Sequence, residues 1–157
     1  MLRVYPLLGM PEIEEGFHLA SHIEAAMRDA QLSFEDGDIL VVSSKVVSKA
    51  LGLRTPDADP ATHEGLVASQ TLRIVAERVS GEHVTRIVES AAGPVMTAAG
   101  VDASNTGKGG LLALPVEPDQ RAADLRASLG LDRRRVAIVI SDTSGRPWRV
   151  GQVDFAL

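Results

Sequence analysis

Two short segments place carboxylates beside hydroxyl and amide side chains directly after apolar runs. "VMTAAGVDASN" ends in Asp102, Ser104 and Asn105, and "VAIVISDTSGR" contains Asp142 and Thr143. Open sheets bind ligands beyond the ends of their strands, and oxygen donors suit Mg²⁺ or Mn²⁺, which also bind phosphate oxygens. The pattern predicts a metal and phosphate site. The alternative is that these residues only form turns after strands, and the pattern alone leaves the two interpretations evenly balanced.

The segment "GVDASNTGKGG", which starts at Gly100, looks like a phosphate-binding P-loop but fails the test for one. A P-loop needs G-x-x-x-x-G-K-[ST] between a strand and a helix. Alignment on Gly107 and Lys108 puts Asp102 at the first glycine and Gly109 at the hydroxyl position. A carboxylate there would repel the phosphate. We therefore predict a strand-end loop that offers a carboxylate and an amide, followed by a flexible turn at "GKGG".

A third segment, "VVSSKVVSK", offers groups that could bind an anion. Ser43 and Ser44 lie where a buried strand is predicted to end and a helix to begin, and free N–H groups at such a junction bind phosphate. Lys45 and Lys49 are one helical turn apart and could face the same anion. For this segment alone, a serine cap with solvated lysines is the favoured interpretation.

Other polar residues give weaker indications. Arg146 and Arg149 could hold an anionic substrate close to the second aspartate segment. His18 and His22 have a spacing that could bind a metal, but no third ligand lies near them, so we interpret them as a surface pair. The sequence has no cysteine, which excludes disulfides, thiolate zinc sites and cysteine nucleophiles.

Composition excludes several classes of function. The 157 residues are 45% hydrophobic and 24% charged, which is typical of one globular domain. A net charge of -5 and aromatic residues at only 3% argue against a nucleic-acid partner. We see no segment long enough to span a membrane and no signal-peptide pattern at the start. The expected location is the cytoplasm.

The pattern of apolar residues predicts an α+β fold, with a mixed β-sheet and flanking helices, in a single domain over residues 1–157. The element order should position the polar segments at the ends of strands. Because "VGQVDFAL" ends the chain on an apolar run, we expect either a fragment of a longer protein or a sheet completed by a partner. The predicted strands are "LRVYPLL", a buried "DILVVSS", "LRIVAERV", "TRIVES", "GPVMTAAG", "GLLALPVEP" and "RRVAIVISDTSG"; the predicted helices are "FHLASHIEAAMRDA", "KVVSKALG" before Gly52, a helix capped by Asp59, and "PDQRAADLRASLG".

Four segments taken together resemble a known family. "GMPEI", "FEDGDILVVSSKVVSKA", "AAGVDASN" and "VAIVISDTSGRPWRVGQV" occur in this order, and they are similar to segments of the coenzyme F420-0:L-glutamate ligases, also called F420 gamma-glutamyl ligases. The resemblance extends over nearly the whole chain. "GVDASN" and "SDTSGRPWRVGQ" are its most specific parts.

The resemblance implies an activity and a set of ligands. Members of the family join L-glutamate to the lactyl phosphate tail of coenzyme F420-0, using GTP and Mg²⁺ or Mn²⁺, and they work as homodimers. The reaction it implies activates a carboxylate as an acyl phosphate, which the glutamate amine then attacks. The implied metal ligands are Asp102 and Asp142 for one ion and Thr143 for a second; the implied GTP contacts are Leu8, Gly9, Met10, Pro11, Ser44, Lys49 and Asn105.

The chain also departs from the family pattern. The family continues past "GQV", so we expect this chain to be the N-terminal part of the family's domain and C-terminally incomplete. Leu51 and Leu53 stand where the family usually has Glu and Arg, and "ESAAGP" replaces a segment that often reads Arg-His-Gly. These departures raise an alternative function, in which a truncated or diverged half of the ligase acts as a dimerisation or binding module.

Overall fold

The computed structural model describes residues 1–81, 83–106, 109–146 and 149–157, except for the side chains of His83 and Arg146. Within these ranges the chain combines helices with strands, so the predicted α+β class is confirmed. The helices are α1 (Leu19–Asp29), α2 (Ser44–Ala50), α3 (Pro60–Ser69) and α4 (Pro118–Ser128); the strands are β1 (Ile39–Ser43), β2 (Arg54–Thr55), β3 (Thr71–Ser80), β4 (His83–Ser90), β5 (Val95–Thr97), β6 (Leu111–Leu112), β7 (Ala137–Arg146) and β8 (Arg149–Ala156).

In the part of the chain that the structure describes, the strands form three sheets, of which one is mixed. In the mixed sheet, of order β1-β7-β8, β1 lies parallel to β7 and β8 lies antiparallel to β7. Strands β3, β4 and β5 form an antiparallel meander, and β2 pairs with β6. The mixed sheet matters most here, because the carboxyl ends of its parallel strands meet at one edge.

The main core lies where helices α1, α2 and α4 pack against the mixed sheet. Its members alternate along the strands and recur at helical spacing, which is why these segments fold as they do. We predicted that β1 would be a buried strand, and this holds for one face only: Val42 is buried, whereas Ile39 and Val41 point to the other face, which is exposed because the helices do not cover it. The buried cluster consists of Ile23, Val42, Val47, Leu125, Leu129, Leu131, Val136 and Ile140.

Three other predictions about strands need correction. The segment "LRVYPLL" forms no strand, because no other segment among the described residues pairs with it. Of "GLLALPVEP", only Leu111–Leu112 is a strand. The segment "RRVAIVISDTSG" does not turn after its apolar run, since β7 continues through Asp142 and Thr143 to Arg146. The continuation exists because β8 pairs with this half of β7.

Two of the predicted helix-end signals are confirmed. Asp59 caps α3, accepting hydrogen bonds from the N–H groups of Ala61 and Thr62, and Pro60 occupies the first turn. Gly52 follows α2 with a φ of +70°, a conformation that favours glycine. Among the described residues, no helix has the length and apolar character needed to cross a membrane.

Candidate functional site

Helix α2 begins without any loop after β1, at the carboxyl end of the parallel strand pair. The side chains of α2 lie on two different faces of the helix. Ser44, Val47 and Ser48 are buried, and the Ser48 hydroxyl donates to the Ala113 carbonyl oxygen at 2.7 Å, which ties α2 to the chain after β6. Lys45 lies on another face of the same helix. The anchored helix therefore presents its lysines from a fixed position.

Asp142 lies at the same edge of the sheet. The parallel pairing of β1 with β7 ends at Ser43 and Ser141, so Asp142 is the next residue of β7. Its carboxylate is almost completely buried and accepts a hydrogen bond from the Ser44 hydroxyl at 2.7 Å. Although the strand does not end there as predicted, the parallel pairing does, and this brings Asp142 to the start of α2.

Asp102 reaches this edge from a segment that does not belong to the mixed sheet. It follows a tight turn, Ala98–Gly100, in which all three residues have positive φ, a conformation that costs alanine free energy. The backbone of Asp102 exchanges two hydrogen bonds with Leu112, with N–O distances of 3.0 and 2.8 Å. Ser104 donates its N–H and its hydroxyl to the Asp102 carboxylate, both at 2.7 Å. These contacts fix the direction of the carboxylate.

Lys45 connects the two aspartates. Its Nζ lies 2.7 Å from Asp102 Oδ2 and 4.0 Å from Asp142 Oδ1. Two carboxylates from distant segments thus converge on one ammonium group. We did not include Lys45 among the predicted site residues. The sequence shows that Lys45 and Lys49 are one helical turn apart, and this spacing predicts that both lysines contact one anion. It does not predict that Lys45 contacts the aspartates.

A cleft of about 260 Å³ adjoins this cluster. Lys49 lies in it with only 9% of its side chain exposed, and its Nζ pairs with Glu12 Oε1 at 2.5 Å. Asn105, with a φ of +57°, turns the end of the Asp102 loop into the cleft. Four of the predicted GTP-contacting residues, Met10, Pro11, Lys49 and Asn105, therefore share one cavity. The full lining is Met10, Pro11, Glu12, Ile13, Ser43, Lys45, Val46, Lys49 and Asn105.

The remaining predicted residues lie elsewhere. Leu8 and Gly9 precede the cleft in the chain without lining it, and Ser44 is buried beneath it with its hydroxyl bonded to Asp142. Thr143 points to the face of β7 opposite Asp142, since side chains alternate along a strand, and its hydroxyl donates to Asp154. Its assignment to a separate, second metal ion stays a prediction.

Other expectations fall partly outside the described residues. The predicted turn at "GKGG" includes Gly107 and Lys108, which are not described, and the Arg146 side chain is not described either. Arg149 donates from Nη2 to the Ser144 carbonyl oxygen at 2.8 Å. His22 stacks on Phe17. Because the Arg146 side chain is not described, the expectation that Arg146 and Arg149 hold a substrate together stays a prediction.

The carboxylates of Asp102 and Asp142 are oxygen donors of the kind that a hard divalent cation binds. Among the described residues, no group of three or more His, Asp or Glu side chains is arranged to hold a metal. Mg²⁺, however, is commonly bound by one or two carboxylates, with waters and substrate phosphates completing its coordination. Because both carboxylates already converge on a positive charge, the residues present fit such an ion.

The pKa of Asp102 lies below its ordinary value. Partial burial by itself would raise the pKa, but the Lys45 ammonium and the hydrogen bonds from Ser104 outweigh that effect. A carboxyl group with a lowered folded-state pKa stabilises the fold above its unfolded-state pKa, and this contribution is lost as the pH falls through the folded-state value.

We therefore predict that Asp102→Asn flattens the acid side of the stability profile. As the pH falls below about 4, the free energy of unfolding should fall less steeply in the variant than in the unmodified chain. Urea unfolding at a series of pH values measures this slope. Asp57→Asn, which changes an exposed carboxylate in a loop, is the control and should keep the original slope. Identical slopes for Asp102→Asn and the unmodified chain would contradict the prediction.

Residues 8–157 match the family described as F420-0:Gamma-glutamyl ligase. The chain belongs to this family. It is 38% identical to the coenzyme F420:L-glutamate ligase of Archaeoglobus fulgidus, and 34% and 33% identical to the proteins of that name from Halorubrum lacusprofundi and Halobacterium salinarum. Each similarity covers 99% of this chain. The resemblance inferred from the four sequence segments is thereby confirmed.

The chain covers just under two thirds of the length of these relatives. The chain spans 66% of the length of the Archaeoglobus relative and 65% of the length of the two haloarchaeal relatives. Both aspartate segments and the α2 segment lie within the matched residues 8–157. The cluster of Asp102, Asp142 and Lys45 therefore lies entirely within the matched part of the chain.

Proposed function

We propose that this chain is the nucleotide- and metal-binding part of a ligase that adds L-glutamate to coenzyme F420-0, using GTP and Mg²⁺ or Mn²⁺. The observation that carries the proposal is the convergence of Asp102 and Asp142 on one cationic position beside the cleft. Family membership supports the reaction, and the chemistry of the cluster supports the ligands. The site contains oxygen donors for a cation next to a buried lysine that can meet a phosphate.

Each side chain would have a distinct role in binding the nucleotide. Lys49 is nearly buried, so its ammonium is poorly solvated and would gain from contact with a phosphate in place of, or beside, Glu12. Asn105 offers an amide at the mouth of the cleft, and Met10 and Pro11 form an apolar wall. Ser44 would act from below by holding Asp142 in position.

The reaction would transfer the γ-phosphoryl group of GTP to the terminal carboxylate of F420-0, breaking the bond between the β- and γ-phosphates and giving an acyl phosphate and GDP. The amine of L-glutamate would then attack the acyl carbon, and inorganic phosphate would leave as the amide forms. A divalent cation at Asp102 and Asp142 would neutralise charge on the phosphate oxygens. The side chains of this site would mainly hold charged groups in position. Among the described residues no histidine lines the cleft, which agrees with this role.

The proposal is tested by measuring GTP binding to the chain by calorimetry, with and without Mn²⁺. We expect binding in the micromolar range that requires the metal. A well-folded chain that binds no GTP in either condition would contradict the proposal. Formation of glutamylated F420-0 from GTP, L-glutamate and F420-0, followed by mass spectrometry, then tests the reaction itself.

Lys49→Met should weaken GTP binding about tenfold in the presence of Mn²⁺, because one charge-assisted contact worth about 1.4 kcal/mol is removed. The methionine keeps the length and apolar stem of the lysine, so the cleft should keep its shape. Calorimetric titration of GTP into both proteins measures the change. Arg28→Met, which removes an exposed cation from the last turn of α1, is the matched control. An unchanged GTP affinity in Lys49→Met would remove this residue from the site.

Homodimer formation in the cytoplasm also belongs to the proposal. Sedimentation equilibrium of the chain tests the dimer directly. The alternative function, a binding or dimerisation module without catalysis of its own, would give a stable dimer with no metal-dependent affinity for GTP. The close approach of both aspartates to Lys45 favours the ligase, because a module that only dimerises has no need of that arrangement.

A further inference from the structure

Lys45 is placed unlike a typical surface lysine. Its side chain is 22% exposed, while the carboxylates it contacts are 39% exposed for Asp102 and 9% exposed for Asp142. The carboxylates come from residues 57 and 97 positions farther along the chain. An ion pair this well enclosed is screened less by solvent than a surface pair. The ammonium group therefore links two segments that are distant in the sequence through electrostatic attraction.

The charges of the cluster do not balance. Two carboxylates face one ammonium, so the cluster carries one excess negative charge when both aspartates are ionised. A divalent cation added to the same oxygens, with Lys45 still in contact, would give one excess positive charge. A partly buried site tolerates neither imbalance well. Lys45 and a divalent cation therefore compete for the same carboxylate oxygens.

The ammonium group of Lys45 also has an alternative position available to it. It lines the nucleotide cleft, and its flexible four-carbon stem allows the ammonium to turn away from the aspartates. Lys49, on the next turn of α2, is already paired with Glu12 and contacts neither aspartate in the described structure. The two lysines share a helix face and a cleft, but only Lys45 touches the candidate metal ligands.

We propose that Lys45 is a positioning residue that acts as an exchangeable resident cation. It neutralises Asp102 and Asp142 until a divalent ion replaces it, and the displaced ammonium then moves into the cleft and pairs with a phosphate of the nucleotide. The inference rests on the proposed function and deepens it. Metal binding alone must break the Lys45 contacts, whereas metal binding with nucleotide gives the lysine a new partner. The two ligands therefore bind cooperatively through this side chain.

The test compares Mn²⁺ binding to the unmodified chain and to Lys45→Met, first without nucleotide and then with GTP. Calorimetry and the Mn²⁺-dependent rise in the unfolding temperature provide two readouts that need no catalysis. Without nucleotide, Lys45→Met should bind Mn²⁺ about tenfold more tightly, because the competitor is gone. GTP should raise the Mn²⁺ affinity of the unmodified chain at least about fivefold more than that of the variant.

Two further variants make the comparison specific. Arg28→Met removes an exposed cation from the last turn of α1, outside the cleft, and should leave Mn²⁺ affinity without nucleotide unchanged. Lys45→Arg keeps the charge and should bind Mn²⁺ no more tightly than the unmodified chain. If Lys45→Met folds only when Mn²⁺ is present, the metal has replaced the lost ammonium, and this outcome supports the proposal as well.

The outcomes also separate the inference from the function on which it rests. If both proteins bind Mn²⁺ with equal affinity, and Asp142→Asn abolishes that binding, the metal site stands and the role of Lys45 is overturned. If neither protein binds Mn²⁺ with or without GTP, the metal site itself is wrong, and the inference falls with it. Weaker Mn²⁺ binding in Lys45→Met would also overturn the inference, since it would make the lysine a support for the metal.

Discussion

Asp142→Asn is expected to lower the affinity for GTP in the presence of Mn²⁺ by about 100-fold, a loss of about 2.7 kcal/mol. The substitution keeps the size of the side chain, and its amide oxygen can still accept the hydrogen bond from Ser44. It removes one of the two negative charges that converge at the site. Since Mg²⁺ and Mn²⁺ sites of this kind depend on one or two carboxylates, the loss should fall on the metal-dependent binding.

Calorimetric titration of GTP with and without Mn²⁺ measures the effect of Asp142→Asn. Asp57→Asn changes the net charge by the same amount in an exposed loop and should leave the affinity unchanged. Urea unfolding of both variants shows whether either has lost its fold. A metal-dependent affinity in Asp142→Asn within threefold of the original would mean that this carboxylate is not an anchor of the site.

Gly110→Ala is expected to destabilise the fold by about 3 kcal/mol, through a positive φ and a steric clash together. Gly110 has a φ of +105°, and a Cβ there would lie 2.4 Å from the carbonyl oxygen of Thr55 and 3.1 Å from that of Pro56. Both are backbone atoms that cannot rotate away. The strain would act directly before β6, whose residue Leu112 holds the backbone of Asp102.

Gly109→Ala provides a matched control for Gly110→Ala. Gly109 has nearly the same φ, +101°, but a Cβ there would meet no atom of the described residues within 4 Å. It should show only the conformational part of the cost, about 1 kcal/mol. Urea unfolding of the two variants separates the clash from the backbone term. Equal losses in the two would show that the chain near Thr55 moves aside easily.

The sequence was sufficient to predict the parts of the fold that depend on local signals. The helices followed from apolar spacing and from end signals such as Asp59 and Gly52, and the meander β3-β4-β5 followed from three apolar runs separated by short turns. The two aspartate segments were recognisable because polar residues there follow apolar runs. Local order along the chain carries all of this information.

The parts that could not be predicted depend on contacts between distant segments. The exposure of Ile39 and Val41 follows from the helices covering only one face of β1, and the continuation of β7 past Asp142 follows from pairing with β8. Lys45 is the clearest case at the site. Its relation to the aspartates requires α2, the Asp102 turn and β7 to meet, and no spacing along the chain encodes that meeting.

The parallel pairing of β1 with β7 has a consequence for the order of events during synthesis. The hydrogen bond between Ser44 and Asp142 spans 98 residues, and the contact between Asp36 and Arg135 spans 99. Pairings of such long range form late and slowly, since a large loop must be ordered first. While β7 is still inside the ribosome, Lys45 of the nascent chain lacks its contact with the buried carboxylate of Asp142. The proposed metal-dependent binding of nucleotide should thus be acquired only after β7 has paired with β1.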